Sequence, residues 1–395
     1  MSLNNFECKV NKKRIYKRKK RGLILRESVN FVNLGMKRFF LTISAAIAVF
    51  SAAAADPAAP VADAATQAAP TDSLKKKNDR KPRFRFDASN PDVHDPVMAF
   101  EDGRYYLFNT GMGIGVLSSA DLKTWKREAK VLDPVPEWAK ARVPAYKGHT
   151  WAPDIIRVGD RWYLYYSCST FGKNISAIGV ATNRTLNPES PDYRWEDLGM
   201  VIQSRPGEDD WNAIDPNVVL DGEGNPWMTF GSFWDGIQLV RLSKDMKTPC
   251  GESVTIARRR KPCDIGAGAN AIEAPFIVEK DGWYYLFVSH DYCCKGLESD
   301  YKTVVGRSRD IAGPYVGKDG RDMKHGGGTL LIGPDENYSG VGHCSVYKFG
   351  DRWLFAAHGY DRKNNGASKL VLRDIEWTAD GWPTLTFKAA PHSIP

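Results

Sequence analysis

The sequence predicts an all-β protein, a five-bladed β-propeller with four-stranded antiparallel blades, and two observations carry that prediction. A unit made of an apolar strand, a tight Asp/Gly turn and an aromatic strand recurs five times. No sustained helical period interrupts it from residue 84 onward.

The copies begin at Asp95-Pro96, Ala152-Pro153, Asp215-Pro216, Glu273-Ala274-Pro275 and His343-Cys344. With Tyr106, Tyr163, Trp227, Tyr285 and Trp353 as markers in the aromatic strands, the spacings are 57, 64, 58 and 68 residues. Such intervals leave room for two more strands per copy, among them 178–181 and 304–308, which completes a four-stranded blade. Segments 83–86 and 385–387 are candidates to close the ring.

The net charge of +8 suggests a polyanion partner until it is located. Residues 1–35 hold ten Lys/Arg and two acids, which is the whole excess. The remainder is neutral, so no nucleic acid partner is expected. Met36-Lys37-Arg38, the apolar run 39–50 and Ser51-Ala52-Ala53-Ala54-Ala55 read as a secretory signal peptide over 36–55. Met36 is then the true start, and 1–35 is an upstream segment read through from a misplaced start; a basic arm before a short membrane anchor is the alternative. Residues 56–83 are an Ala/Pro/Lys-rich linker, and 84–395 form the propeller domain. No Cys stands at the cleavage point, so no stable membrane anchor is expected. The mature chain is expected in the periplasm or the medium, as a monomer. Six cysteines follow the signal, a number compatible with disulfides. Cys250 and Cys263 are close enough to close a loop, whereas the neighbours Cys293 and Cys294 do not easily bond each other. Zinc-type CxxC spacing is absent.

In a propeller the first strand of every blade runs along the central channel, so residues at equivalent positions surround one axial site. The polar residues heading the hairpins are Asp95, Asp154, Asp215, Glu273 and His343. A lone Asp-Pro is more simply a strand cap, but acids recurring in phase with the repeat favour a shared site. Asp154 follows the proline of its copy where the Asp-Pro acids precede theirs, and reads as structural or as a support behind the site. Glycoside cleavage needs one protonated and one ionised carboxyl flanking the bond. Burial or a neighbouring negative charge separates the two by raising one pKa.

The segments Val93-His94-Asp95-Pro96, Asn212-Ala213-Ile214-Asp215-Pro216-Asn217, Ala271-Ile272-Glu273-Ala274-Pro275 and Gly342-His343-Cys344-Ser345-Val346 resemble glycoside hydrolase family 43. With Thr150-Trp151-Ala152-Pro153-Asp154-Ile155 and Gly231-Ser232-Phe233-Trp234-Asp235-Gly236-Ile237, they resemble more narrowly its endo-1,5-α-L-arabinanases, in the same order over 87–390. The resemblance implies Asp95 as the base that activates water, Glu273 as the acid, and Asp215 as the group that raises and orients the acid. It implies inversion by single displacement, with the main carboxyls roughly 6.5–9.5 Å apart. It also implies a largely hydrated calcium ion on the axis near His343; calcium prefers oxygen ligands, and the alternative is a histidine bonded to axial water. Arabinan or an arabino-oligosaccharide is the implied substrate, touched by Trp151, Asn212, Ser232, Phe233 and Trp234, although either tryptophan equally suits packing between blades.

Two other readings remain open from the sequence. An exo-acting α-L-arabinofuranosidase or β-xylosidase keeps the same acids in a closed pocket, while a non-catalytic sugar-binding propeller loses them. Gly111-Met112-Gly113-Ile114-Gly115 lacks the spacing and following helix of a dinucleotide loop, and His325-Gly326-Gly327-Gly328 has no serine elbow beside it.

Overall fold

The structure, a computed structural model, describes residues 86–259 and 270–386. The upstream segment, the signal peptide and the linker lie outside the described residues, as do Cys8 and Cys263. The described chain folds into five antiparallel sheets that follow one another in sequence.

Blade 1 holds Val97–Glu101, Arg104–Asn109, Gly115–Ser119 and Lys126–Arg127, in that spatial order. Blade 2 holds His149–Val158, Arg161–Cys168, Ser176–Asn183 and Glu196–Ser204. Its first strand also pairs with Gly111–Met112 from the blade 1 loop, which gives this sheet a fifth, two-residue strand. Blade 3 is built from Asn217–Leu220, Pro226–Phe230, Ile237–Leu242 and Pro249–Ala257. Blade 4 comprises Ile272–Lys280, Trp283–His290, Lys302–Ser308 and Thr329–Ile332. Blade 5 comprises Tyr338–Phe349, Arg352–Asp361, Ala367–Trp377 and Pro383–Thr386. A single-turn helix, Glu137–Arg142, sits in the connection to blade 2 and has too short a period to stand out in the sequence.

Successive side chains of a strand point to opposite faces, and here both faces of a blade are covered by its neighbours. In blade 1, Tyr106 and Phe108 pack with Leu164 and Tyr166 of blade 2. Tyr105 and Leu107 pack the other way, with Leu354 and Ala356 of blade 5. Tyr165 turns from its neighbours toward Val218 and Met228 of blade 3. Two further clusters join blade 3 to blade 4 and blade 4 to blade 5. The core is therefore divided among the five blade interfaces, and the aromatic strands read as continuous apolar runs because neither face meets water.

Of the two candidate closing segments, Leu385 pairs with Ile375 inside its own blade, while residues 83–85 and 387 lie outside the described residues; among the described residues no C-terminal strand joins blade 1. Each blade draws its four main strands from contiguous chain, and among the described residues the one strand taken from another blade is Gly111–Met112 in the sheet of blade 2. The seam is instead a short bridge of Asp92 to Lys369, flanked by Val93 N–H to Ser368 O at 3.2 Å and Leu370 N–H to Pro91 O at 3.3 Å. The Lys369 ammonium adds an ion pair to Asp92 at 2.7 Å. Cys250 is disulfide-bonded, to a partner outside the described residues.

Candidate active site

The heads of the five first strands share one backbone feature. Asp95, Ala152, Asp215, Ala274 and His343 have φ of 55°, 44°, 57°, 55° and 49°. The left-handed region costs a residue with a Cβ about 1–2 kcal/mol, and its repetition once per blade marks a built feature. Pairing with the second strand slips at three of these points, Trp151/Asp154, Glu273/Phe276 and Gly342/Ser345. A slip of this kind bends the strand and re-aims its side chains.

The amide of each turned residue is caught by a neighbouring blade. Asp95 N–H donates to His358 Nδ1 at 3.1 Å, Ala152 N–H to Thr110 Oγ1 at 2.8 Å, Asp215 N–H to Ser167 Oγ at 3.0 Å and His343 N–H to Ser289 Oγ at 2.8 Å. All four acceptors lie in or just after the second strand of the preceding blade. The pattern breaks once. Ala274 N–H donates to the carboxylate of Asp215 itself, at 3.1 Å.

Three imidazoles surround one oxygen of Asp95. His94 Nδ1 is 2.8 Å from Oδ1, His343 Nδ1 is 2.9 Å away and His358 Nδ1 3.5 Å. The other oxygen accepts from Thr110 Oγ1 at 2.5 Å. Burial opposes the charge, but His343 and His94 outweigh it and hold the carboxyl well below the usual range. In return, and again against burial, Asp95 raises His94 to about 10 and His343 to about 9. His358 is buried neutral, its pKa pushed down, and its Nδ1 accepts the Asp95 amide.

Asp215 and Glu273 behave in the opposite way. Burial pushes Asp215 up to about 8, His343 working against it and the charges of Glu273 and Asp95 adding to it. Burial likewise raises Glu273, although Ser232 Oγ and Tyr301 OH donate to its two oxygens, each at 2.7 Å. Two buried carboxyls, both raised by burial and Asp215 further by the charge of Glu273, hold a proton between them near neutral pH. The hydrogen-bond partners favour Glu273 as its carrier. Its hydroxyl partners can turn and accept, whereas the Ala274 amide facing Asp215 can only donate and favours a charged acceptor.

Of the other sequence candidates, Ser232 is committed to Glu273, both by its hydroxyl and by an isolated backbone bridge. Asn212 is buried, and its Oδ1 accepts from Ser176 Oγ at 2.6 Å. Trp151 is half-buried and donates to His149 Nδ1 at 2.8 Å. Phe233 and Trp234, also half-buried, are consecutive left-handed residues with φ of 56° and 38°. That turn is pinned by Phe233 N–H to Ile272 O at 2.8 Å and by Asn270 Nδ2 to Trp234 O at 2.9 Å. Asp154 stands away from the axial set. It accepts from Val218 N–H at 2.7 Å and from Asn217 Nδ2 at 3.3 Å, and so links blade 2 to blade 3.

Thr110, Tyr301 and His358 also shape the site and stand in none of the sequence motifs; His94 does too, and it lies in the Val93–Pro96 segment without a signal of its own. Tyr301 offers a test of the Glu273 environment. Its hydroxyl lowers the Glu273 pKa, so Tyr301→Phe raises it. The alkaline limb of the kcat profile is expected to move up by about one pH unit, the worth of one buried hydrogen bond. An unmoved limb would show that Glu273 does not set it.

A buried carboxylate held ionised by histidines, beside a carboxyl pair that keeps a proton, is the equipment of acid–base glycoside hydrolysis. On the axis of a five-bladed propeller it defines a glycoside hydrolase. The family model for glycosyl hydrolases family 43 matches residues 89–383, and the chain belongs to that family. It is 46% identical over 306 residues to an extracellular exo-α-(1→5)-L-arabinofuranosidase of Cellvibrio japonicus, covering 76% of this chain and 88% of that one. To an extracellular endo-α-(1→5)-L-arabinanase of Bacillus subtilis it is 39% identical, covering 75% and 88%. Among solved structures, an exo-1,5-α-L-arabinanase from a bovine ruminal metagenomic library matches with a TM-score of 0.75 at 60% identity, covering 77% of this chain and all of that one.

Proposed function

We propose that the protein hydrolyses α-1,5-linked L-arabinofuranosyl bonds in arabinan by a single displacement that inverts the anomeric centre. The opposed protonation of Asp95 and Glu273 carries this reading, and the printed activities of the relatives supply the substrate class. Glu273 gives its proton to the glycosidic oxygen as the bond to the anomeric carbon breaks. Asp95 takes a proton from the water that attacks the opposite face. Asp215, ionised and held by the Ala274 amide, keeps Glu273 protonated until that moment. Phe233 and Trp234 would present aromatic faces to the sugar, as Trp151 would from blade 2.

The position of the cut has two readings. Segments 212–215 and 231–237 favour internal cleavage by sequence texture, but Asn212 and Ser232 point inward and do not distinguish a groove from a pocket. Chain-end release is favoured by the relatives named exo, at 46% and 60% identity against 39% and 42% for two relatives named endo. A product profile on debranched arabinan, beside xylan and aryl glycosides, separates the readings. Short oligosaccharides appearing early mean internal cleavage; one product of fixed length from the start means chain-end release. No hydrolysis of arabinan would overturn the proposal.

Calcium on the axis is compatible with one kind of site only. His343 Nδ1 is engaged by Asp95, which leaves Nε2, and neither three-ligand group found among the described residues includes His343. An ion there would have one protein ligand and water otherwise, with the axial carboxylates favouring its charge. Extended dialysis against a calcium chelator is expected to lower kcat or Tm, with recovery on adding calcium. Identical kcat and Tm before and after would remove the ion. Export through a signal peptide at 36–55 is supported by relatives named extracellular, and the N-terminal sequence of the mature protein tests it.

A further inference from the structure

Cys293 and Cys294 lie between the second and third strands of blade 4, at the end of the propeller that carries the axial acids. Both are free thiols, Cys294 exposed and Cys293 half-buried. Their sulfurs are 2.6 Å apart. A sulfur–sulfur bond is about 2.03–2.05 Å long, so the pair already stands inside ordinary contact distance. Cys294 adopts a left-handed φ of 63°, and its amide donates to Tyr360 OH at 2.7 Å. Its sulfur is 3.8 Å from His94 Nε2 and 3.9 Å from Tyr360 OH. The same His94 holds Asp95 through its other nitrogen, at 2.8 Å.

We propose that Cys293 and Cys294 form an oxidation site beside the catalytic base, closing a disulfide between sequence neighbours with a low-molecular-weight disulfide or a disulfide oxidoreductase as co-reactant. The exposed Cys294 attacks one sulfur of the co-reactant, and the other half leaves as a thiol. Cys293 then attacks the Cys294 sulfur of the mixed disulfide, and the second half leaves as a thiol. Two electrons and two protons pass from the pair to the co-reactant, which is thereby reduced. The hydrogen bond from Cys293, acting against burial and joined by His94, brings the Cys294 thiol down to about 5, which suits it to the first attack.

The bond would be reversible. Neighbouring Cα atoms are about 3.8 Å apart, below the roughly 4.4–6.8 Å usual across a disulfide, and such bonds are among the more readily reduced. Its state reaches the base through His94. In the reduced pair, a Cys294 thiolate adds to Asp95 in keeping the His94 ring cationic, and that cation weakens Asp95 as a base. In the oxidised pair that thiolate is gone, and Tyr360 is the remaining partner of Nε2, at 3.0 Å.

The test uses the full-length wild-type chain equilibrated with oxidised glutathione, then alkylated and digested with trypsin. Peptide 281–295 is expected two hydrogen masses lighter than after full reduction, with neither cysteine alkylated. Two alkylated cysteines, a persistent glutathione adduct or a link to a third cysteine would overturn the bond. Dithiothreitol is expected to lower kcat at constant KM in the wild type and not in Cys293→Ser, which controls for reduction at Cys250. Oxidation of the peptide with no change in kcat would overturn the link to Asp95. A chain retained in a reducing compartment would be isolated reduced and still oxidise in this assay, which separates a failure of the export reading from a failure of this one.

Discussion

Asp95→Asn is expected to lower kcat by roughly a thousandfold or more on every substrate, within the range that general bases contribute. The amide keeps the volume of the carboxylate but cannot take a proton from water. Leaving-group chemistry does not enter, so arabinan and an activated aryl arabinofuranoside should lose activity alike. The acidic limb of kcat/KM should vanish with it. In the wild type that limb should lie below the ordinary carboxylate range, because His343 and His94 hold Asp95 ionised. The amide also leaves His94 and His343 without their anion, so a thermal melt is needed to show that the variant is folded at the assay temperature. A folded Asp95→Asn protein that keeps a tenth of wild-type activity would take Asp95 out of the mechanism.

Glu273→Gln should divide the substrates instead. On arabinan the leaving alkoxide needs a proton, and the loss is expected to reach about a hundred- to ten-thousandfold. On an aryl arabinofuranoside with an acidic phenol, no proton is needed and activity should stay within about tenfold of wild type. Ser232 and Tyr301 can both bond a glutamine, so the local structure should hold. The alkaline limb set by Glu273 should disappear. Equal losses on the two substrates would assign the proton donation elsewhere, with Asp215 the nearest candidate.

Much of this was legible because the repeat carries its own alignment. The in-phase Asp-Pro and Glu-Ala-Pro heads point to Asp95, Asp215 and Glu273 as candidates without any long-range information, and in the structure their charges act on one another. Asp154 is set apart by its offset from the repeat, and in the structure it bonds Val218 and Asn217 of the next blade. What stayed hidden was the layer behind the acids. Thr110, Ser167, Ser289 and His358 come four or five residues after the aromatic markers, near the ends of second strands. A hydroxyl at the end of an apolar strand has no local signature, and only alignment of the second strands copy by copy would have raised these positions together. Tyr301 lies beyond even that device, in a loop whose path is set by the packing of blades 4 and 5. Asn212 and Ser232 show the reverse difficulty. Their segments carry a resemblance, but direction is a three-dimensional property, and both side chains turn inward.

The seam between the first and last blades gives the enzyme an uneven heat tolerance. Asp95 belongs to blade 1, while His343 and His358, which grip it, belong to blade 5. Glu273, Ser232 and Tyr301 are joined within blades 3 and 4, far along the chain from that junction. A short backbone bridge, the Lys369–Asp92 pair and the cluster of Tyr105 and Leu107 with Leu354 and Ala356 fasten the two ends, and among the described residues no strand is exchanged between them. When warming first frays the junction, the nucleophilic water loses its activator while the proton donor stays in place. Catalysis should then fade some degrees before the sheet signal melts, and for all substrates together, so that turnover itself reports whether the circle is shut.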